Sequence, residues 1–459
     1  MFHKFNQSIF RAYDIRGIVA ETLSIDDAYY IGQNFAKQIK SKYKSCSIVV
    51  GYDGRLSSPI LEKNLVQGMY DAGAYIIRIG LCSSPMLYYS TIKLQSDGGI
   101  MITGSHNPAN YNGFKILSKD ESYYGKKIGS LAKSKKQLSL RGKILDYDIT
   151  NSYIGKLIDS VHYKNNNLSV IWDPGNGATG DLLSKLVKHL PGKHTIINSV
   201  VDGTFPSHHP DPTDEKNLKD IKNKIAEKKA DIGIAFDGDG DRIGVLDSKG
   251  SLISGDKLLL LFSLEIIKKQ PGAKIIGDVK TSDIVFKEIN KKGGKAIMWK
   301  TGHSLIKAKM KETGALLAGE MSGHIFFADN YYGFDDAMYA SIRLLNILSK
   351  KFSLNKFLNT FSSSYSTPEI KVYCEDTLKF TVIKQIKKKI YKKYKNINLI
   401  DGIRVNTLHG WWLIRASNTQ PAIIVRCESN NEKNMKSLIE EVKSILVSLK
   451  IKTQLNIKF

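Results

Sequence analysis

Cysteine is scarce in this 459-residue chain: only Cys46, Cys82, Cys374 and Cys427 occur, widely spaced and without a CxxC pair. That usage argues against a disulfide framework and fits reduced thiols in a cytoplasm. Long apolar runs are missing too. Nothing approaches the roughly 20 residues needed to span a bilayer, and Leu258-Leu259-Leu260-Leu261-Phe262 is soon followed by Glu265. The opening Met1-Phe2-His3-Lys4-Phe5 lacks the apolar stretch of a secretory signal. The expectation is a cytoplasmic protein without a membrane partner.

Arginine is short as well, supplying 10 of the 68 basic residues. The net charge of +24 calls for an anionic partner. Yet no helix-turn-helix, zinc-finger or aromatic RNA-binding signature accompanies it. Runs such as Lys384-Gln385-Ile386-Lys387-Lys388-Lys389 read as a solvated helical face. No nucleic acid is expected. A basic cleft for phosphorylated small molecules fits the same charge. A P-loop is absent, because no Gly-Lys pair continues into Ser or Thr with the upstream Gly.

What the chain does hold is a repeat. Ile48-Val49-Val50-Gly51-Tyr52-Asp53, Val170-Ile171-Trp172-Asp173 and Ile275-Ile276-Gly277-Asp278 are short strands ending in Asp, at intervals of 120 and 105 residues. A helical stretch and a second strand follow each: Tyr75-Ile76-Ile77-Arg78, Thr195-Ile196-Ile197 and Ala296-Ile297-Met298. A third apolar run then leads to a distinctive loop. The period is that of a domain. The reading is α/β: three successive similar α/β domains, with mixed sheets and flanking helices, over 1–150, 151–252 and 253–363. Beyond the turn-rich connector from Phe361 to Pro368, a smaller C-terminal α+β domain spans 364–459.

The first loop is Thr103-Gly104-Ser105-His106-Asn107-Pro108, after the strand-like Asp97-Gly98-Gly99-Ile100-Met101-Ile102. Ser105 is held on a bend at the carboxyl end of a strand, where open α/β sheets carry their chemistry. In the second loop, Asp237, Asp239 and Asp241 alternate with glycines and offer three hard oxygens suited to Mg²⁺. A calcium hand does not fit, since its sixth position is Arg242 and its twelfth Ser248. Arg242 suits a nearby phosphate, which guanidinium grips in a fork. The third loop, Gly319-Glu320-Met321-Ser322-Gly323-His324, places Glu320 and Ser322 to hold adjacent sugar hydroxyls, with His324 near a ring substituent. In the last domain, Arg415, Ser417, Asn418 and Thr419 form a set for a phosphate dianion. Gly175-Asn176-Gly177-Ala178-Thr179-Gly180 matches GxGxxG, with Asp202 downstream. A nicotinamide-dependent oxidoreductase is the alternative this suggests; a tight strand-to-helix turn is the other reading.

With these loops in this order, the chain resembles the α-D-phosphohexomutases, most of all the bacterial phosphomannomutase/phosphoglucomutase branch. The resemblance runs from Phe10-Arg11-Ala12-Tyr13-Asp14-Ile15-Arg16-Gly17 to Pro421. Glu320 before Met321-Ser322 and Gly240 in the Asp loop favour this branch over phosphoglucosamine mutase, the nearer alternative. The resemblance implies four domains around a central cleft and a serine, Ser105, phosphorylated at rest. That phosphoserine would interconvert hexose 1- and 6-phosphates of mannose, glucose or both through a hexose 1,6-bisphosphate, which also serves as activator. It implies Mg²⁺ on Ser105, Asp237, Asp239 and Asp241, and catalytic parts for Arg16, His106, Lys115 and Arg242. Tyr13, Lys280 and His303 would line the substrate cleft with Glu320, Ser322 and His324. Phosphorylated hexoses are the expected partners, and a monomer or weak dimer the expected state.

Overall fold

The computed structural model describes residues 3–132, 140–164, 167–350, 352–361, 365–418 and 420–449. Their strands form four sheets, three built to one plan. In the first, β1 (Ile15–Ile18), β2 (Ser47–Tyr52), β3 (Tyr75–Leu81), β4 (Gly98–Ile102), β5 (Tyr111–Ser118), β6 (Glu121–Ser122) and β7 (Lys143–Asp146) run in the order β1-β5-β4-β2-β3-β7, with β6 beside β5. Strands β2, β3, β4 and β7 are parallel; β5 returns antiparallel along β4.

The second sheet holds β8 (Ser169–Asp173), β9 (Lys193–Ile196), β10 (Ile232–Phe236), β11 (Ile243–Asp247) and β12 (Leu252–Ile253). The third holds β13 (Lys274–Asp278), β14 (Lys295–Trp299), β15 (Leu317–Gly319) and β16 (Ile325–Phe327). The paths β3-β2-β4-β5, β9-β8-β10-β11 and β14-β13-β15-β16 have the same order and the same antiparallel last strand. The repeat seen in the sequence is thus a repeat of topology. Each distinctive loop joins the third strand of its unit to the antiparallel fourth, so all three occupy one topological place.

The strands form because Ile48, Val49 and Val50, Val170 to Trp172, and Ile275 and Ile276 are apolar runs buried on both faces between helices. One apolar cluster crosses units, joining Val49, Ile77 and Met101 to Trp172, Phe236, Leu259 and Leu344. The arrangement of the first three units is therefore fixed by packing.

The fourth sheet is antiparallel. Strands β17 (Tyr365–Ser366), β18 (Ile370–Tyr373), β19 (Ile397–Asn398), β20 (Ile403–Thr407), β21 (Gly410–Ala416) and β22 (Ala422–Ser429) run β17-β22-β21-β20-β19, with β18 also on β22. Helices Lys379–Ile390 and Glu432–Val447 bury Ile386, Ile390, Leu438 and Val442 against it. Tyr365 and Ser366, expected as mere connector, pair with β22 because that eight-residue strand extends far enough to receive both β17 and β18. The expected division between 363 and 364 lies outside the described residues. Lys384, Lys387 and Lys388 face outward from their helix. All four cysteines are free. No helix among the described residues is long and apolar enough to cross a membrane.

Candidate active site

The three loops and the C-terminal sheet converge on one cavity of about 790 Å³. Tyr13, Arg16, Ser105, His106, Lys115, Arg242, Lys280, His303, Glu320, Ser322, His324, Arg415, Ser417 and Asn418 line it, drawn from all four sheets. Thr419 lies outside the described residues.

Ser105 sits just past β4 with a left-handed backbone, φ +49°. Outside glycine such a conformation costs on the order of 1–3 kcal/mol and persists only where its surroundings impose it. Its backbone N–H donates to Thr103 Oγ1 at 2.7 Å. Its hydroxyl donates to Asp237 Oδ2 at 2.8 Å and lies 3.4 Å from His106 Nδ1. Burial, with Arg242 and Arg16 nearby, holds the His106 imidazole well below its usual range, so it is neutral. Arg16 donates to Asn107 on the same loop and to Asp14 at 2.6 Å.

The Asp loop folds on its own first carboxylate. Asp237 Oδ1 accepts the N–H groups of Gly240, Asp241 and Arg242, each at 3.1 Å, which leaves Oδ2 for Ser105. Gly240 supplies the required positive φ of 76°. Lys115, on β5, donates to Asp239 Oδ2 at 2.6 Å and to Asp241. Burial alone would neutralise this amine, but Asp239 and Asp241 outweigh burial and keep it charged. Burial and its two acidic neighbours push the Asp237 carboxyl well up. The Oδ1 atoms of Asp239 and Asp241 are buried without a partner. Three carboxylates whose oxygens lie within 4.8 Å of one another, two with an orphaned atom, fit a hard divalent cation. Ser84 also donates to Asp239; sequence reasoning missed it, since its only mark is a Ser-Ser-Pro helix start.

The third loop meets the second. Arg242 Nε donates to His324 Nε2 at 3.0 Å. A guanidinium only donates, so Nε2 accepts and the ring proton sits on Nδ1. That atom lies 2.9 Å from Asp335 Oδ2 and 3.6 Å from Asp241 Oδ1. Glu320 accepts the Gly302 N–H at 2.6 Å, and burial raises its carboxyl. The His303 ring stacks on His324 at 5.9 Å; burial and Lys307 keep it neutral, and its Nε2 has no partner. Tyr13 meets His303 edge-on at 5.4 Å, and burial beside Asp14 and Glu320 raises its phenol to about 12. Lys280 binds Glu369 and lies 3.5 Å from Asp278. Arg415 Nε donates to Asp401 at 3.0 Å, while its Nη2 is buried and unpartnered. The sequence reading missed Asp335, Lys307, Glu369 and Asp401, whose partners His324, Asp335, Lys280 and Arg415 lie 11 to 89 residues away along the chain.

The likeness to known proteins follows the site. The chain is 42% identical over 98% of its length, and 97% of the relative's, to a phosphomannomutase/phosphoglucomutase of Pseudomonas putida. It belongs to the phosphoglucomutase/phosphomannomutase family. Family models match in order: alpha/beta/alpha domain I over 7–137, domain II over 151–250, domain III over 254–365 and the C-terminal domain over 369–445. A phosphoglucomutase of Neisseria meningitidis serogroup A is 40% identical over 96% of this chain and 97% of its own. The crystal structure of a family member from Burkholderia thailandensis superposes with a TM-score of 0.89 at 36% identity, covering 99% of this chain and 100% of that one. The protein is a mutase, an isomerase of this family. Neither the glucosamine nor the nicotinamide alternative is favoured.

Within this family member the GxGxxG segment has a local use. A Cβ on Gly177 would meet Gly238 O at 2.9 Å, and one on Gly180 would meet Ser199 O at 1.9 Å. Ala178 N–H donates to Gly238 O at 2.9 Å. The glycines let this turn press against the Asp loop and support it.

Proposed function

We propose that this mutase interconverts the 1- and 6-phosphates of mannose, glucose or both, through a phosphoserine at Ser105 and a hexose 1,6-bisphosphate. One observation carries the reading. The Ser105 hydroxyl reaches Asp237 at 2.8 Å inside a cavity lined by groups that suit phosphate and sugar. Mg²⁺ is the cation we assign to Asp237, Asp239 and Asp241, with Ser105 beside them; when bound it would offset charge on the transferring phosphoryl group.

The chain's own residues do the rest. Lys115, kept cationic, and Arg242 and Arg16 supply charge beside the serine. Glu320 and Ser322 take sugar hydroxyls, and His324, its Nε2 held by Arg242, sits near a ring substituent. Neutral His106 and His303, with Tyr13 and Lys280, shape the pocket. Arg415, Ser417, Asn418 and Thr419 hold the phosphate that is not being transferred. Because the bisphosphate must turn round, they grip oxygens and read no particular carbon. The division at 150, 252 and 363 and a monomer or weak dimer in the cytoplasm complete the reading.

The test is direct. Glucose 1,6-bisphosphate and Mg²⁺ should phosphorylate Ser105, seen by peptide mass spectrometry. Coupled assays on mannose 1-phosphate and glucose 1-phosphate should both give the 6-phosphate, or show which sugar is excluded. Turnover with Ser105 unmodified throughout would overturn the phosphoserine.

A further inference from the structure

Arg55 is wholly buried, yet no part of it lines the cavity. It stands two residues after Asp53, which directly follows β2. All five of its guanidinium hydrogens are engaged. Nε donates to Asp53 Oδ2 at 3.2 Å. Nη1 donates to the carbonyls of Pro108 at 2.5 Å and Tyr111 at 2.9 Å. Nη2 donates to the carbonyls of Ser105 at 2.7 Å and Asn107 at 2.6 Å. Four acceptors thus belong to the serine loop or its exit, and one is the carbonyl of Ser105 itself.

Asp53 completes the clamp from the other side. It accepts from Thr103 Oγ1 at 2.7 Å, Gly104 N–H at 3.3 Å and Ser58 Oγ at 2.6 Å. The guanidinium lies so close to the loop that a Cβ on Gly104 would come within 2.6 Å of its Cζ. Its outer face is covered by the Phe205 ring of the second unit, 5.1 Å away.

We propose that Arg55 is a positioning residue for phosphoryl transfer, holding the Ser105 loop in its left-handed form by gathering four of its carbonyls. Ser105, Asn107 and Pro108 lie outside the strands, and the Ser105 backbone would relax from φ +49° without an external tie. Relaxation moves Oγ away from Asp237, and phosphoryl transfer tolerates little displacement. The inference rests on the phosphoserine reading above. It concerns a residue that touches neither substrate nor cation.

The experiment compares the full-length parent with Arg55→Ala and Arg55→Lys. Readouts are transfer from labelled glucose 1,6-bisphosphate to Ser105, steady-state kcat and KM, and thermal midpoint. Transfer and kcat should fall about 100-fold in Arg55→Ala, with KM close to the parent's. Arg55→Lys should do little better, because one ammonium has three donors on a single atom and cannot span four carbonyls. Millimolar methylguanidinium should restore part of the rate in Arg55→Ala and not in the parent. Parent-level transfer in Arg55→Ala would overturn the proposal. So would a loss that tracks only the unfolded fraction and shows no rescue. Should Arg55→Ala not fold, Phe205→Ala uncovers the guanidinium and should lower kcat severalfold at unchanged KM; an unchanged kcat there would count against it. A parent that takes no label at Ser105 defeats the phosphoserine reading itself, whereas equal labelling of parent and variant defeats only the role of Arg55.

Discussion

Arg11 donates to Asp376 at 2.5 Å across 365 residues, joining the first α/β unit to the C-terminal one. The joint to the third unit is of another kind. There Arg404, buried, donates to Val279 O at 2.7 Å and Thr281 O at 2.8 Å and stacks 3.6 Å over Trp411. The C-terminal domain is thus anchored firmly on one side and tied lightly on the other, which suits closure by rotation. The Arg11 and Asp376 side chains are 22% and 35% exposed, so their pair contributes at most about 1 kcal/mol. Arg11→Ala should leave the thermal midpoint nearly unchanged and raise KM for hexose phosphates up to about fivefold. A double-mutant cycle with Asp376→Ala checks this; strictly additive effects would show that the pair does not hold the closed form.

Asp239→Asn should weaken Mg²⁺ binding at least tenfold, roughly the loss that even outer-shell changes cause, and should lower kcat at fixed Mg²⁺. Calorimetric titration of the metal-free protein reads the affinity directly. Retained affinity would move the cation away from this loop.

The unpartnered Nη2 of Arg415 leads to a symmetric expectation. Arg415→Ala should weaken glucose 1-phosphate and glucose 6-phosphate alike, by about 10- to 100-fold, as for a lost hydrogen bond to a charged group. Equilibrium binding of both isomers measures it. A loss confined to one isomer would show that this anchor reads the sugar's orientation.

His208 Nε2 lies 3.0 Å from Asp173 Oδ2, beside the GxGxxG turn. Burial alone would lower the imidazole, but the hydrogen bond and charge of Asp173 outweigh it and raise the value above 6.5. A raised histidine contributes stability in full below the unfolded value and loses it as pH climbs through the folded one. Urea midpoints should therefore decline from pH 6 upward through this window. His208→Gln should flatten that decline; an equally steep decline in the variant would place its origin elsewhere.

The sequence alone determined the strand-loop repeat and the chemistry each loop offers. Ile48 to Val50, Val170 to Trp172 and Ile275 to Ile276 are apolar because both faces of their strands are covered, and such burial leaves a local mark that can be read without coordinates. Ser105, Asp237 and Glu320 stood out for the same reason: each follows such a strand on a short loop rich in glycine or polar residues. Tertiary structure alone decided how those loops meet. That Lys115 lies on Asp239 and Asp241, that Arg242 sets the proton of His324, and that Arg55 gathers the carbonyls of the Ser105 loop are contacts between residues 50 to 126 positions apart. No local pattern records them. Hydrogen bonds and ion pairs depend on ångström-scale distances, and those distances come from sheets packing through a shared core.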